Sequence, residues 1–146
     1  MDFKSFIIES EKNMKDVRST LLSIPKKYAA LIQGYKFVFQ PDNGLKNDPK
    51  HVGVINSDQK TVTIAAPWNY SREWVVLHEV AHLIWGKSIS KEVQKKWIKI
   101  CKSTSLKNNE KDIPEELFCH AFASTYVSNK MEKYNYPHWK NFIKNL

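Results

Sequence analysis

The sequence predicts one α+β domain in which helices pack on a small sheet. Three observations support this fold class. The chain has 146 residues, the length of a single domain. Hydrophobic residues make up 42% of it, which is enough to form a core. Helical periodicity occurs towards both ends, whereas short alternating segments rich in aromatic and β-branched residues lie between them. We therefore expect residues 1–146 to form one domain, with a sheet of about three strands that contains an antiparallel pair.

The N-terminal half predicts two helices followed by the strands. Amphipathic spacing over residues 2–22 favours a helix, and Pro25–Gln33 favours a short second helix that ends at Gly34. Alternating β-branched and aromatic residues indicate the three strands, which are Tyr35–Gln40, Val52–Ile55 and Lys60–Ala65. Only four polar residues separate the last two strands, so we expect them to form a hairpin.

Four helices are predicted in the C-terminal half, and the first is the most apolar. It runs from Arg72 to Trp85, with Ser71 as its N-cap and Gly86 at its end. Its apolar residues lie nearly all the way round, which predicts burial on most sides. The remaining helices are expected at Ser90–Ser103, Pro114–Ser128 and Pro137–Leu146.

The apolar helix carries two histidines and a glutamate in the sequence His78-Glu79-Val80-Ala81-His82, an HExxH pattern. Residues four positions apart share one side of a helix, so His78 and His82 can bind one metal ion. Glu79 lies about 100° further round and can reach a water on that metal without ligating it. A buried helix needs partners for such groups, and a metal ion satisfies all three. The alternative is a pair of core histidines hydrogen-bonded to backbone or carboxylate groups.

A zinc site of this kind needs a third protein ligand and leaves a fourth position to water. The same helix does not supply a third histidine, because Trp85 and Ser88 occupy the positions of the extended HExxHxxGxxH pattern. The helix predicted from Pro114 offers Glu116 as an inward-facing carboxylate, whereas Glu115 is one step round and expected to face solvent. The alternatives for the third ligand are Glu115, Cys119 and His120.

The segments VVLHEVAHLIWG and PEELFCHAFASTY resemble the gluzincin group of zinc metallopeptidases. Among small members the chain most resembles the ImmA/IrrE family, whose second helix ends in a Phe-Ala pair, here Phe122-Ala123. The catalytic domain of anthrax lethal factor is similar in the same two segments. The resemblance covers about residues 52–126 and implies a zincin-like fold. The residues to which it gives a role are His78, His82 and Glu116 as ligands of one Zn²⁺ per chain, Glu79 as general base, and His120 beside the ligands.

By this resemblance the chain is expected to be a zinc-dependent endopeptidase that hydrolyses peptide bonds of a protein substrate, with Glu79 as the general base on a zinc-bound water. His120 is expected to hydrogen-bond one of the two ligand histidines and fix its ring. In this superfamily the strand before the active helix is a sheet edge that pairs with an extended substrate, which implies Lys60–Ala65. The candidates for stabilising the oxyanion are Tyr126, Tyr134, Tyr136, His138 and His51.

The formal net charge of +8 raises the question of a nucleic-acid partner. Arg reads bases and phosphates best, yet only Arg18 and Arg72 are arginines, so the lysine excess favours a solubilising surface. A nucleic-acid binder is the weakest hypothesis. Its support is a lysine stripe with one aromatic residue, namely Lys91, Lys95, Lys99, Lys102 and Trp97.

The expected partner is a protein or peptide substrate, for which a transcriptional regulator is one candidate because ImmA/IrrE-type proteins are associated with control of transcription factors. The alternative function is therefore a zinc-fold regulatory module that acts on a repressor without general proteolysis. Glu79 favours catalysis, since metal ligation alone does not need it. Cys101 and Cys119 are expected to be reduced thiols, and no segment predicts a signal peptide or a membrane span, so we expect a cytoplasmic protein without a membrane partner.

Overall fold

The computed structural model describes residues 7–8, 11–40, 53–65, 72–106, 113–127, 134 and 136–146. Within these ranges the strands are β1 (Ile7–Ile8), β2 (Lys36–Gln40), β3 (Gly53–Asn56) and β4 (Thr61–Ala65). The α-helices are α1 (Glu11–Leu22), α2 (Arg72–Lys87), α3 (Lys91–Ser103), α4 (Pro114–Tyr126) and α5 (Pro137–Lys144), and a 3₁₀ helix spans Lys26–Ile32. The predicted α+β class is confirmed.

The strands form one mixed sheet with the order β1-β2-β4-β3. Strand β2 is parallel to both β1 and β4, whereas β3 and β4 form the predicted antiparallel hairpin. Consequently β4 lies inside the sheet and β3 forms one edge of it. The prediction that Lys60–Ala65 is a sheet edge is therefore wrong. Parallel pairing of β2 with β4 joins segments that are distant in sequence, and it leaves no local pattern from which the strand order could be predicted.

The N-terminal helix begins later than its periodicity predicts. Residues 2–6 lie outside the described part of the chain, Ile7 and Ile8 form β1, and α1 begins at Glu11. Adjacent β-branched residues favour an extended backbone. The first two residues of β2 supply the parallel partners of this pair, a tertiary contact that helical spacing does not reveal.

The helix boundaries show which capping residues act as predicted. Helix α2 continues through Gly86 to Lys87, because an exposed glycine lowers helix propensity without ending a helix. The predicted cap Ser71 lies outside the described residues. Ser90 caps α3 as predicted, since its side chain accepts a hydrogen bond from the backbone N–H of Val93 at 3.2 Å.

Helix α2 is buried on most sides, as its apolar residues predict. It contacts α1, the 3₁₀ helix, β3, β4 and α4. Leu77, Val80 and Ile84 have no exposed surface, and Phe118 of α4 is fully buried against the ring of Trp85, with 5.1 Å between the centroids. The hydrophobic packing of α2 on α4 thus brings the two segments with the predicted ligands face to face.

Helix α3 holds the start of α4 in place. Trp97 is fully buried, and its indole N–H donates a hydrogen bond to the carbonyl of Pro114 at 2.8 Å. The four lysines of the predicted stripe on α3 are exposed. Stacking on nucleic-acid bases requires an exposed aromatic face. The buried ring of Trp97 therefore does not provide the contact on which the nucleic-acid hypothesis depended.

Cys101 and Cys119 are both buried and free, in agreement with the predicted reduced thiols. Burial raises the pKa of the Cys101 thiol to about 12. None of the helices in the described ranges combines the length and the apolar character that crossing a membrane requires.

Candidate metal centre

Helices α2 and α4 bring the three predicted metal ligands together. Nε2 of His78 lies 3.2 Å from Oε2 of Glu116, and Nε2 of His82 lies 3.1 Å from Oε1 of the same carboxylate. The histidines share one side of α2 because they are one helical turn apart, and Glu116 faces them from the first turn of α4. Two imidazole nitrogens therefore face the two oxygens of one carboxylate.

These distances fit a bound zinc ion. Nitrogen and oxygen ligands lie about 2.0–2.1 Å from zinc, so neighbouring ligand atoms of a tetrahedral site are about 3.3 Å apart. The observed separations of 3.1 and 3.2 Å are close to that value. They also suit direct hydrogen bonds between the rings and the carboxylate in the absence of metal. Two histidines with one glutamate are in addition a ligand set used by catalytic zinc sites.

Cys119 forms a second possible metal-binding group with the same two histidines. The donor atoms of His78, His82 and Cys119 all lie within 4.8 Å of one another. Burial raises the pKa of the Cys119 thiol well above its usual value, and nearby carboxylates raise it further. By contrast, hydrogen bonds from the two histidines hold the pKa of Glu116 well below its usual range, so this carboxylate is ionised.

Glu79 lies in the wall of a cavity of about 450 Å³ next to these ligands. Its residue surface is only 6% exposed. The other described residues lining the cavity are Gly53, Val54, Ile55, Ser57, His78, His82, Leu83, Glu115 and Glu116. The cavity is therefore bounded by the HExxH helix, the start of α4 and the edge strand β3.

Gly53 in β3 packs directly on the Glu79 side chain. A Cβ atom added to Gly53 would lie 2.9 Å from both Cγ and Oε1 of Glu79, and 2.8 Å from Cγ1 of Val75. Only glycine permits this approach of the strand to the helix. Sequence reasoning missed this residue, although a glycine in a strand can signal close contact with another backbone or side chain.

Glu115 is exposed, as predicted, and it also contacts His82. Its side chain is 50% exposed, yet Oε2 lies 3.0 Å from Nδ1 of His82. The two nitrogens of the His82 ring therefore face two consecutive glutamates of α4. This contact could not be predicted from the helix face alone, since a partly exposed side chain can still turn one oxygen towards a neighbouring ring.

His78 is held mainly by aromatic packing. Its ring stacks on Trp74 with 5.1 Å between the centroids, and it contacts the ring of His120 at 4.8 Å. Nδ1 of His78 is buried and has no hydrogen-bond partner among the described residues. His120 thus contacts His78 through its ring, and its predicted hydrogen bond to one of the two ligand histidines remains a prediction.

Four of the five candidates for oxyanion stabilisation lie in the described part of the chain, and none of these four lines the cavity. Tyr134 stacks on His120 with the ring centroids 4.4 Å apart, and Tyr136 packs on Trp139. His138 lies 2.9 Å from Oγ1 of Thr104. Tyr126 is also absent from the described lining, and His51 lies outside the described residues. The cavity lining thus assigns this role to none of the four described candidates.

Comparison with known proteins identifies no relative of this chain: no family model matches it, and no curated protein or solved structure matches it either. The chemistry of the centre is therefore inferred from the residues themselves.

The carboxylates around His82 make metal binding dependent on pH. Burial lowers the pKa of His82, but hydrogen bonds to Glu116 and Glu115 and the charge of Glu79 raise it, to about 9 on balance. A protonated ring cannot ligate a metal, so the proton and the metal compete for His82.

We expect the Zn²⁺ affinity to increase by up to about tenfold per pH unit between pH 6.5 and 8.5, because this range lies below the pKa of about 9. Calorimetric titration in two buffers of different ionisation enthalpy measures the accompanying proton release, which should be about one proton per ion from His82. An affinity that does not change over this range, with no proton released, would contradict this charge state.

Proposed function

We propose that this chain is a zinc-dependent endopeptidase of the gluzincin type, with a zincin-like fold and one Zn²⁺ held by His78, His82 and Glu116. One observation carries the proposal: both Nε2 atoms face the two oxygens of one carboxylate, at 3.2 and 3.1 Å. The ligand types, their spacing and the neighbouring cavity match a catalytic zinc site, which keeps one position open.

Glu116 is preferred to Cys119 as the third ligand. Its carboxylate oxygens lie within 3.2 Å of the two ring nitrogens. The donor atoms of the group that includes Cys119 lie within a wider limit, 4.8 Å, of one another. Glu116 is also ionised before metal arrives, because its pKa is lowered by the two histidines. The Cys119 thiol would first have to lose its proton, and burial opposes this loss by raising the thiol pKa.

When bound, Zn²⁺ supplies Lewis acidity, which lowers the pKa of water towards about 7 and polarises a carbonyl. Glu79 follows His78 in the chain and lines the same cavity, so its carboxylate can accept the proton of an attacking water. The same carboxylate can then pass this proton to the amine that leaves when the peptide bond breaks. The proton thus ends on the new N-terminus, and Glu79 returns to its ionised form.

The substrate binds along the edge strand β3. Among the described strands β3 pairs only with β4, so its other side is available to an extended polypeptide. Three residues of β3 line the cavity, namely Gly53, Val54 and Ile55. Pairing with this strand would lay a peptide across the centre through backbone hydrogen bonds. This role replaces the one that the resemblance implied for Lys60–Ala65.

The burial of Glu79 supports catalysis over a purely regulatory zinc-fold module. A 6% exposed carboxylate is costly to desolvate. A module that only holds a metal and binds a partner gains nothing from burying this carboxylate. A general base gains from a water-poor site, since electrostatic interactions are stronger there. A transcriptional regulator remains the proposed candidate among protein substrates.

Glu79→Gln should slow proteolysis strongly and leave metal binding intact. The amide keeps the shape of the side chain but cannot accept the proton, and loss of a general base costs about 10²–10⁴-fold in rate. The measurement is mass spectrometry of new N-termini after Zn²⁺-loaded protein is incubated with a peptide library made from a whole proteome.

Glu92→Gln is the matched control, because Glu92 is an exposed residue of α3 outside the described cavity lining. It should cleave like the wild type. Cleavage by Glu79→Gln at the wild-type rate would refute the mechanism. Zinc binding without any cleavage by the wild type would favour the regulatory module instead.

Gly53→Ala should lower the cleavage rate by about 10²-fold, because the new methyl group displaces the Glu79 carboxylate by a fraction of an ångström to one ångström. Zinc affinity should change little, since the three atoms nearest to the added methyl group belong to Val75 and Glu79 and none of them to a ligand. Both quantities are measured on the same preparation, by the peptide-library assay and by chelator competition.

Gly86→Ala provides the control for this substitution. A Cβ atom at Gly86 meets nothing within 4 Å, so activity should be unchanged. Alanine should also stabilise helix α2 by about 0.8–1 kcal/mol. If Gly53→Ala were as active as Gly86→Ala, contact with β3 would not position Glu79.

A further inference from the structure

His82 must use one particular ring nitrogen if it is to ligate the metal. Its Nε2 faces Glu116 at 3.1 Å, and its Nδ1 faces Glu115 at 3.0 Å. A neutral imidazole has one N–H donor and one nitrogen lone pair. The lone pair is needed at Nε2, where the ligands converge, so the hydrogen has to reside on Nδ1. Glu115 is placed to accept that hydrogen.

The two ligand histidines are held by different interactions. His78 has a side chain that is 10% exposed and stacks on Trp74, which itself donates a hydrogen bond to Oγ of Ser124 at 3.3 Å. His82 has a side chain that is 20% exposed. Packing therefore constrains the more exposed ring of His82 less, and a hydrogen bond to Nδ1 has more to contribute there.

Adjacent residues of one helix turn supply both contacts to this ring. Glu115 and Glu116 lie in the first turn of α4, whose start is tied to α3 by the hydrogen bond between Trp97 and Pro114. The helix position that places Glu116 among the ligands thus also places Glu115 behind His82. A carboxylate that accepts from a ligand histidine fixes its tautomer and ring orientation and makes it a stronger ligand.

We propose that Glu115 is a positioning residue for the metal centre, which it serves by accepting the Nδ1 hydrogen of His82 so that Nε2 is aimed at the metal. This inference rests on the proposed function, because it requires that a metal binds at His82. The direct readout is the Zn²⁺ dissociation constant, measured by competition with a chromophoric chelator.

Glu115→Ala should weaken Zn²⁺ binding about 10–100-fold, the loss that follows when such an outer partner is removed. Glu115→Gln should lose less, because its amide oxygen can still accept the hydrogen bond. Glu92→Ala removes an equal charge from an exposed site on α3 and should bind zinc like the wild type. Circular dichroism of the metal-free variants verifies that each one is folded.

Nitrogen-15 NMR of the imidazole groups in the Zn²⁺-loaded wild type needs no variant. It should show His82 with hydrogen on Nδ1 and metal on Nε2. The inference is overturned if His82 carries its hydrogen on Nε2, if Glu115→Ala binds Zn²⁺ within about threefold of the wild type, or if Glu92→Ala loses as much affinity as Glu115→Ala. In each of these cases the proposed function survives, whereas a wild type that binds no zinc would overturn both.

Discussion

The contact between Glu116 and the two histidines depends on how α4 packs against α2. Phe118 is fully buried and packs on Trp85 of α2, with 5.1 Å between the ring centroids. The apolar side chains therefore fix the helix position that brings the carboxylate within 3.2 Å of each ring nitrogen. A shift of the α4 sequence by one position along its helix axis would turn Glu116 about 100° away from the histidines, and the contact between the carboxylate and the two rings would be lost.

The polar groups on the buried helix show how a candidate metal centre is accommodated in a hydrophobic core. His78 is stacked on Trp74, His82 lies between two carboxylates, and Glu79 lies beneath β3. Each of these groups would be costly to bury alone. Together they compensate one another electrostatically, and the pKa of Glu116 is lowered while that of His82 is raised. A bound cation would replace these internal contacts by stronger ones.

The sequence was sufficient to predict the features that depend on local spacing. The HExxH pattern placed the two histidines on one side of a helix, and the next helix offered Glu116 as an inward-facing carboxylate, with Glu115, Cys119 and His120 as alternatives. Features that depend on distant contacts were not predictable in this way. Parallel pairing of β2 with β4 moved the sheet edge to β3, Gly53 acquired its role from that edge, and Glu115 gained its partner only when α4 met α2.

The most direct test of the centre is zinc K-edge X-ray absorption on the Zn²⁺-loaded wild-type protein. The proposed ligands predict nitrogen and oxygen scatterers at about 2.0–2.1 Å, with the outer-shell signal of two imidazole rings and no sulfur. A sulfur scatterer at about 2.3 Å would show that Cys119 binds the ion and would contradict the assignment of Glu116. A shell without imidazole would contradict the role of both histidines.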